Sequence, residues 1–350
     1  MTNQNKINST FKRNGSLSGK KLVEYIPSMI ITNLSTLLLI TVDGLVAGNF
    51  CGKESLSSIN IFYPISVLLG VISMIISVGI STLLSTTIGS QDKENLQSIK
   101  KVSFWLMIFV AIGVSIIQIP IVYLIIRSYQ LAEELTKLVW QYAIGLMLAS
   151  PLGLISCCGT YELQIVGKVK ILMFLSVIEG LVNLVLDLLF VGFFHLGVAG
   201  AGFGTLGANI IRCTLTLVLL YKKTTIFQFK NAKFEKKFIG EILKLGLPAS
   251  TKSLMSALQG YFLMLILVRA FGSDGGVIKG ICAFSFSLAN VFSSGIVSSA
   301  RPLAGLYAGA KDNDGLEILI RQALAIMFIS TLLFTILFEF FRLTLLHFLQ

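Results

Sequence analysis

Residues 171–194 read ILMFLSVIEGLVNLVLDLLFVGFF, a run in which only Glu179 and Asp187 carry charge. A helix needs about 20 predominantly apolar residues to cross a hydrocarbon layer about 30 Å thick. The run therefore predicts a membrane-spanning helix. An aspartate near mid-bilayer costs about 2.5–3.5 kcal/mol on insertion scales. A helix that keeps one in these surroundings points to a functional site, and Asp187 is the first candidate.

Eight further runs of this kind occur in the chain of 350 residues, which is 55% hydrophobic and only 13% charged. Its mean hydropathy is +0.84, whereas soluble domains usually carry about 25% charged residues. We therefore predict an all-α membrane protein, a helical bundle with nine spans. The predicted spans are residues 22–50, 59–88, 102–129, 138–161, 171–194, 198–221, 247–270, 278–304 and 323–347.

The net charge of +11 is explained by topology rather than by a nucleic-acid partner. Of the 28 basic residues, 19 fall in the N-terminal segment and in the loops after the second, fourth, sixth and eighth spans. Short loops rich in Lys and Arg stay in the cytoplasm. The pattern predicts a multi-pass protein of the plasma (inner) membrane with a cytoplasmic N-terminus. Its predicted partners are the lipid bilayer and a small-molecule substrate.

The sequence contains no pattern typical of an enzyme. The five cysteines form no C-x-x-C pair, and the two histidines, His195 and His347, stand far apart at predicted helix ends. No zinc-ligand or nucleophile–base spacing results. We therefore predict neither catalysis nor a bound cofactor.

Two loops contain a duplicated segment. Residues 88–99 read IGSQDKENLQSI and residues 308–319 read AGAKDNDGLEIL, so glycine, aspartate and leucine recur at an offset of 220. Pro27 and Pro248 recur near helix starts at an offset of 221. Six spans separate the copies and return the chain to the same side of the membrane. The repeat is therefore predicted to be parallel, with its axis along the membrane normal.

The repeat also predicts the organisation of the chain. Residues 1–221 form an N-terminal six-helix lobe, and residues 222–246 form a cytoplasmic basic linker. Residues 247–350 form a partial C-terminal lobe made of the seventh to ninth helices.

Residues 202–207 fit the pattern G-x-G-x-x-G, but they do not predict a dinucleotide site. Such a site needs a preceding strand, an opening helix and a distant acid, whereas Gly202, Gly204 and Gly207 lie inside a predicted span. Gly200 and Gly204 also form G-x-x-x-G, which lets two helices approach closely. Close packing of the sixth helix is the better interpretation.

Helix geometry groups several polar residues at one depth. Asp43 and Asp187 each lie seven residues before the outer end of a predicted span, and Thr205 lies seven residues after one. At 1.5 Å per residue, all three are about 10 Å inside the membrane. Asn183 lies one turn deeper than Asp187. Carboxylate, amide and hydroxyl oxygens suit a hard cation such as Na⁺, and two neighbouring acids can share a proton because like charges oppose double ionisation.

Together these segments resemble the multidrug and toxic compound extrusion (MATE) family. The resemblance rests on IPSMI at 26–30, TVDGLVAGNFCGKESLSSINIFYP at 41–64 and STLLSTTIGSQDKEN at 81–95. It continues with VNLVLDLLFVGFFHLGVAGAGFGT at 182–205, LGLPAS at 245–250 and RPLAGLYAGAKDND from Arg301. It implies a MATE-like two-lobe bundle in a bacterial or archaeal membrane. It also implies a cation site at Asp43, Asn183, Asp187 and Thr205, and export of organic, often cationic or amphipathic, compounds in exchange for Na⁺ or protons.

The sequence departs from this pattern in several places. Family members have twelve spans, so nine imply that the last three helices are lacking. Gln164 and Leu188 stand where the family usually has an arginine and a proline. Pro27 matches the proline whose kink is linked to cation binding, and Glu179 is an addition. We treat Pro27 and Glu179 as candidate accessory residues, although Glu179 could instead bond Arg212 or a serine.

The leading hypothesis is a cation-coupled exporter with Na⁺ or H⁺ as the coupling ion. One alternative is a flippase for lipid-linked precursors from the same superfamily, which would need a cationic cavity. Arg212, Lys252 and Arg301 are its candidate cations, and snorkelling or anchoring at helix ends is their simpler interpretation. A further alternative is a shortened, non-transporting relative that acts as a membrane sensor.

Overall fold

The computed structural model describes residues 15–223 and 232–348, and within them the chain is almost entirely helical. A short π-helical segment, Leu188–Phe193, follows α5. The α-helices are α1 (Gly15–Cys51), α2 (Lys53–Gly89), α3 (Lys93–Tyr129), α4 (Glu133–Ile165), α5 (Val169–Asp187), α6 (Val198–Lys223), α7 (Lys237–Phe271), α8 (Ser273–Gly309) and α9 (Asn313–Phe348).

The helices confirm the predicted all-α membrane fold. In the described part of the chain, eight helical segments are each long and apolar enough to cross a membrane. The ninth is α8, which qualifies when its two halves, Ser273–Leu288 and Asn290–Gly309, are counted as one span bent by 48°.

The start of α7 differs from the prediction. The span was expected at residue 247, yet the helix begins at Lys237, so the last ten residues of the predicted linker are helical. Phe238 and Ile242, four residues apart, are buried on one face of this extension. Its basic residues made the segment too polar to be recognised as part of a span, but its amphipathic spacing lets it pack. Residues 224–231 of the predicted linker lie outside the described residues.

The repeated loops fold identically, which confirms the duplication. Gln91 and Lys311 both adopt left-handed backbone conformations, with φ of 59° and 55°. Oδ1 of Asp92 accepts from the backbone N–H of Asn95 at 3.1 Å, and Oδ1 of Asp312 accepts from the N–H of Gly315 at 2.9 Å. Each aspartate thereby caps the helix that follows. The hydrogen bond from the Asn95 N–H also lowers the pKa of Asp92.

The C-terminal ends of α2 and α8 cross at reciprocal close contacts. A Cβ atom on Gly89 would overlap the carbonyl oxygen of Leu306, and one on Gly309 would overlap that of Thr86. Thr86 and Leu306 are themselves 220 residues apart, so the two contacts exchange under a two-fold rotation. This is the parallel relation that the repeat predicts.

The N-terminal ends of the same two helices are also joined. Lys53 Nζ lies 2.6 Å from Oδ1 of Asp274, and the hydroxyl of Ser57 donates to the carbonyl oxygen of Ser273 at 2.7 Å. The ion pair is solvent-exposed and contributes little by itself. Together with the contacts at Gly89 and Gly309, it joins α2 to α8 at both ends of the helices.

Substituting Gly309 with alanine should destabilise the helix crossing. The added methyl group meets a backbone carbonyl that cannot move freely, and overpacking of this kind costs about 1–3 kcal/mol. We expect a lower Tm for Gly309→Ala, measured by circular dichroism at 222 nm on detergent-solubilised protein. Gly240→Ala is the matched control because nothing lies within 4 Å of its added Cβ. Replacing this helical glycine with alanine should raise the free energy of unfolding by up to about 1 kcal/mol. An equal rise in the Tm of both variants would contradict the close crossing of α2 and α8 at Gly309.

Candidate cation-binding site

The four residues that the sequence grouped by depth form one buried cluster. Asp43 comes from α1, Asn183 and Asp187 from α5, and Thr205 from α6. Their exposed fractions are 1%, 0%, 0% and 7%. The structure therefore confirms the grouping, although it does not test cation binding.

Hydrogen bonds connect all four members. Oδ2 of Asp43 accepts from the Thr205 hydroxyl and from the Tyr142 hydroxyl, each at 2.8 Å. Nδ2 of Asn183 donates to Oδ1 of Asp187 at 3.5 Å and to Oγ1 of Thr205 at 3.4 Å. The short bonds converge on one oxygen of Asp43, while the bond to Asp187 is at the limit of hydrogen-bond length.

Three oxygens of the cluster have no hydrogen-bond partner among the residues that the structure describes. They are Oδ1 of Asp43, Oδ1 of Asn183 and Oδ2 of Asp187, all inaccessible to solvent. Buried acceptors in native structures are nearly always satisfied, so these atoms point to a ligand that supplies positive charge. Two carboxylate oxygens and one amide oxygen fit a hard cation, which prefers oxygen ligands. They equally fit protonation of a carboxylate.

The same donor set does not fit a transition metal. Among the described residues, no three His, Cys, Asp or Glu side chains lie close enough together to hold a metal ion. The cluster combines two acids with neutral amide and hydroxyl oxygens.

The backbone of α5 changes form immediately after Asp187. Leu188–Phe193 is π-helical, and the N–H of Phe194 bonds the carbonyl of Leu189, five residues earlier, at 2.8 Å. Single π-turns inside α-helices are frequent at functional sites. Nothing in the sequence predicted this segment, which begins where Leu188 replaces the family's usual proline.

The glycines of α6 make room for the acids. A Cβ on Gly204 would overlap Oδ1 of Asp187, and one on Gly200 would lie 2.9 Å from the backbone carbon of Phe190. Gly202 similarly lies against the carbonyl of Tyr142. The close-packing interpretation of these glycines is therefore confirmed.

Tyr142 of α4 is the site residue that sequence reasoning missed. Its side chain is 3% exposed, and its hydroxyl bonds the same Asp43 oxygen as Thr205. Tyr142 stands four residues into a predicted span, but one sequence does not show which side of α4 faces the acids. Its contact with Asp43 depends on the packing of α4 against α6 at Gly145 and Gly202.

The two candidate accessory residues do not join the cluster. Arg212 donates to Glu179 from Nη1, which also bonds the Ser176 hydroxyl at 3.2 Å, so Glu179 forms an ion pair with α6. The bond to Arg212 or a serine that the sequence suggested for Glu179 is what the structure shows. Pro27 is exposed and stands 16 residues before Asp43, about 24 Å away along a helix.

The cluster borders two neighbouring cavities. A cavity of about 90 Å³ is lined by Asp43, Thr205, Tyr142 and five other residues, including Tyr63 and Ser66. A larger cavity of about 340 Å³ shares Ser66, Leu146 and Thr205 with it. Asp43 and Thr205 therefore lie beside unfilled space inside the bundle.

Comparison with known proteins shows what the chain is similar to. The family model described as MatE matches residues 28–189. "Probable multidrug resistance protein YoeA" of Bacillus subtilis is 23% identical over 296 residues, which cover 81% of this chain and 63% of that protein. "Multidrug export protein MepA" of Staphylococcus aureus is 24% identical over 250 residues, covering 70% and 54%. The chain thus spans between about half and just under two thirds of the length of these relatives.

Solved structures share the fold. An outward-facing multidrug resistance MATE transporter of the MOP superfamily superposes with a TM-score of 0.81 at 22% identity, over 92% of this chain and 71% of that one. A MOP superfamily transporter from Pyrococcus furiosus, described as having a binding pocket of reverse polarity, gives 0.79 at 23% identity, over 89% and 70%. The helical bundle therefore has the fold of these transporter structures, and residues 28–189 match the MatE family model.

Gly204→Ala should disturb the cluster directly. The added methyl group overlaps the Asp187 carboxylate, so Asp187 must move away from Asn183 or α6 must shift. We expect a lower Tm, with an overpacking cost of about 1–3 kcal/mol. Gly180→Ala on α5 is the control because its Cβ would meet only the Ser35 carbonyl, at 3.9 Å. Equal Tm values for the two variants would show that Gly204 does not constrain Asp187.

Proposed function

We propose that the protein is a cation-coupled antiporter that exports organic compounds across the plasma membrane. The coupling ion, Na⁺ or H⁺, binds at Asp43, Asn183, Asp187 and Thr205. The observation that carries the proposal is the set of three buried, unpartnered oxygens, two of them from acids. The MATE fold and the family's multidrug relatives support it.

The proposed role of the cluster follows from charge balance. Two ionised carboxylates buried side by side repel each other and lack the hydration that they would have in water. A sodium ion or a proton removes part of that charge. An arrangement that seals the cluster is therefore favoured when the ion is bound, and one that admits water is favoured when it is absent.

Coupling requires the substrate to prefer the opposite arrangement. A ligand shifts a conformational equilibrium only by its differential affinity for the two states. Cation binding then favours one arrangement of the helices around α1, α5 and α6, and substrate binding favours another. Inward movement of the ion can drive export in this way.

The membrane setting is part of the same proposal. The excess of basic residues in alternate loops supports a cytoplasmic N-terminus. YoeA and MepA are named as multidrug proteins, which supports organic, cationic or amphipathic compounds as the starting hypothesis for the substrates.

The flippase alternative gains little support from the geometry. Arg212 and Arg301 bond neighbouring residues of α4, Thr160 at 3.2 Å and Tyr161 at 3.0 Å. Glu179 neutralises Arg212, however, and Lys252 is exposed on α7. Of the three candidate cations, only Arg301 is partly buried and without an acidic partner among the described residues, which is weak recognition for a pyrophosphate.

Asp187→Asn should abolish ion-driven transport. The substitution keeps the size of the side chain but removes the charge that the coupling ion neutralises. We expect loss of gradient-driven efflux from proteoliposomes containing the full chain. The transported test compounds are ethidium, an organic cation, and 2-naphthoate, an organic anion. Glu179→Gln is the matched control, an intramembrane acid outside the cluster that keeps an acceptor for Arg212, and it should retain efflux.

Two outcomes would contradict this assignment. Unchanged efflux in Asp187→Asn would remove the cluster from the coupling mechanism, and loss in Glu179→Gln would place Glu179 within it. If the unsubstituted chain gives no driven efflux of either compound while it is folded and membrane-inserted, the non-transporting alternative replaces the exporter.

Thermal stability should identify the coupling ion. A ligand that binds only the folded protein stabilises it by RT ln(1 + [L]/Kd), about 2.7 kcal/mol at a hundredfold excess over Kd. If Na⁺ binds, Tm should rise with NaCl but not with equal choline chloride, and Asp43→Asn should cancel the rise. If only protons bind, the two salts should act alike, and Asp43→Asn should alter the dependence of transport on pH.

A further inference from the structure

The largest of the described cavities lies on the other side of Tyr63 from the acid cluster. It has a volume of about 360 Å³ and lies between α1, α2 and α8, within the range of about 300–1,000 Å³ typical of small-molecule sites. Its walls are mainly apolar and include Leu37, Leu45, Leu56, Val277, Ile281 and Phe284. Asn60 and Lys279 are among its few polar side chains.

Lys279 is an unusual residue to find in such a wall. It is only 6% exposed, and its ammonium group lies 4.7 Å from the centre of the Tyr63 ring. In the part of the chain that the structure describes, no carboxylate forms an ion pair with it. The nearest acid along α8, Asp274, is paired with Lys53. Contact with a ring face stabilises a cation only in part, so a buried ammonium still favours a counter-charge.

Anchoring at the membrane surface does not explain Lys279. A lysine that anchors a helix end extends its charged group to water and is exposed, as Lys53 and Lys252 are. Lys279 lies at a helix end on the predicted outer side, where basic residues are few. Its side chain nevertheless points into the cavity.

We propose that this cavity binds amphipathic organic anions, such as aromatic carboxylates, with the anionic group at Lys279. The apolar body of the ligand would lie along the leucine, isoleucine and phenylalanine side chains of α1, α2 and α8. This inference rests on the proposed function, because it names a substrate class for the exporter. It also replaces the expectation of cationic substrates for this cavity.

The cavity is placed so that cation binding can affect it. Tyr63 lines both this cavity and the small one beside Asp43. On α1, Thr41 and Gly44 line the anion cavity, whereas Asp43 lines the other. A shift of α1 on cation binding therefore reshapes both spaces at once.

The test compares three ligands of one shape and different charge: 2-naphthoate, 2-naphthamide and 2-naphthylmethylammonium. Binding to the full chain in nanodiscs is measured by isothermal titration calorimetry, with empty nanodiscs as the blank. We expect 2-naphthoate to bind at least tenfold more tightly than the other two. Equal affinity for the three compounds, or preference for the ammonium compound, would overturn the proposal.

Variants then assign the preference to Lys279. Lys279→Met should weaken 2-naphthoate binding at least tenfold and leave 2-naphthamide binding unchanged, and Lys279→Arg should restore most of the loss. Lys252→Met, which removes an exposed lysine of α7, is the matched control and should bind like the unsubstituted protein. If Lys279→Met weakens all three ligands equally, Lys279 is only structural and the proposal fails. If Lys279→Met does not fold, the binding of the three ligands is compared between Lys279→Arg and Lys279→Gln instead. A selective loss of 2-naphthoate binding in Lys279→Gln would support the proposal, and equal binding in the two variants would overturn it.

The inference and the exporter proposal fail in different ways. Selective 2-naphthoate binding without ion-driven efflux would retain the anion site and remove the antiporter. Ion-driven ethidium efflux without selective 2-naphthoate binding would retain the antiporter and remove the anion site.

Discussion

The structure depends on keeping two carboxylates, Asp43 and Asp187, away from water inside a helical bundle. Each costs about 2.5–3.5 kcal/mol to place near mid-bilayer. A hydrogen bond to a charged group returns about 1.5–3 kcal/mol. Asp43 receives two short bonds at Oδ2, which can offset its cost, whereas Asp187 receives one long bond from Asn183. Asp187 is therefore the less well compensated acid, and we propose that a cation or proton supplies the missing positive charge.

The duplicated scaffold carries this chemistry in one half only. The turns and helix crossings repeat at an offset of 220, yet the positions 220 and 221 residues after Asp43 are Leu263 and the fully buried Met264. The same offset relates Lys279 to Ile59, which lines the cavity beside Asp43. At one pair of equivalent positions, the first half has Asp43 and the second half has an apolar residue. At the other pair, the second half has Lys279 and the first half has Ile59. The repeat supplies the helix crossing, whereas Asp43 and Lys279 each occur in only one of its two copies.

The depth of each polar residue in the membrane was predictable from the sequence, but the direction in which its side chain faces was not. The rise of a helix fixes how far each residue lies below the membrane surface, which is why Asp43, Asp187 and Thr205 could be grouped correctly. The rotation of α4 about its axis depends on glycine contacts with α6, so Tyr142 gave no signal. The π-helical turn after Asp187 also depends on packing, since its residues are ordinary apolar ones. For α7, a search for apolar runs overlooked an amphipathic extension that buries Phe238 and Ile242.

Charge balance separates the structural from the functional groups within the spans. Glu179 shares a helix face with Asp187 but lies about 12 Å from it along α5, and its charge is cancelled by Arg212. Such a pair needs no ligand. Among the described residues, no basic side chain is bonded to the acid cluster and no acid is paired with Lys279. These two uncompensated sites have opposite sign and lie in cavities that share the Tyr63 side chain. We propose that a small ligand of opposite charge neutralises each of them, and that α1, which borders both cavities, couples the two sites.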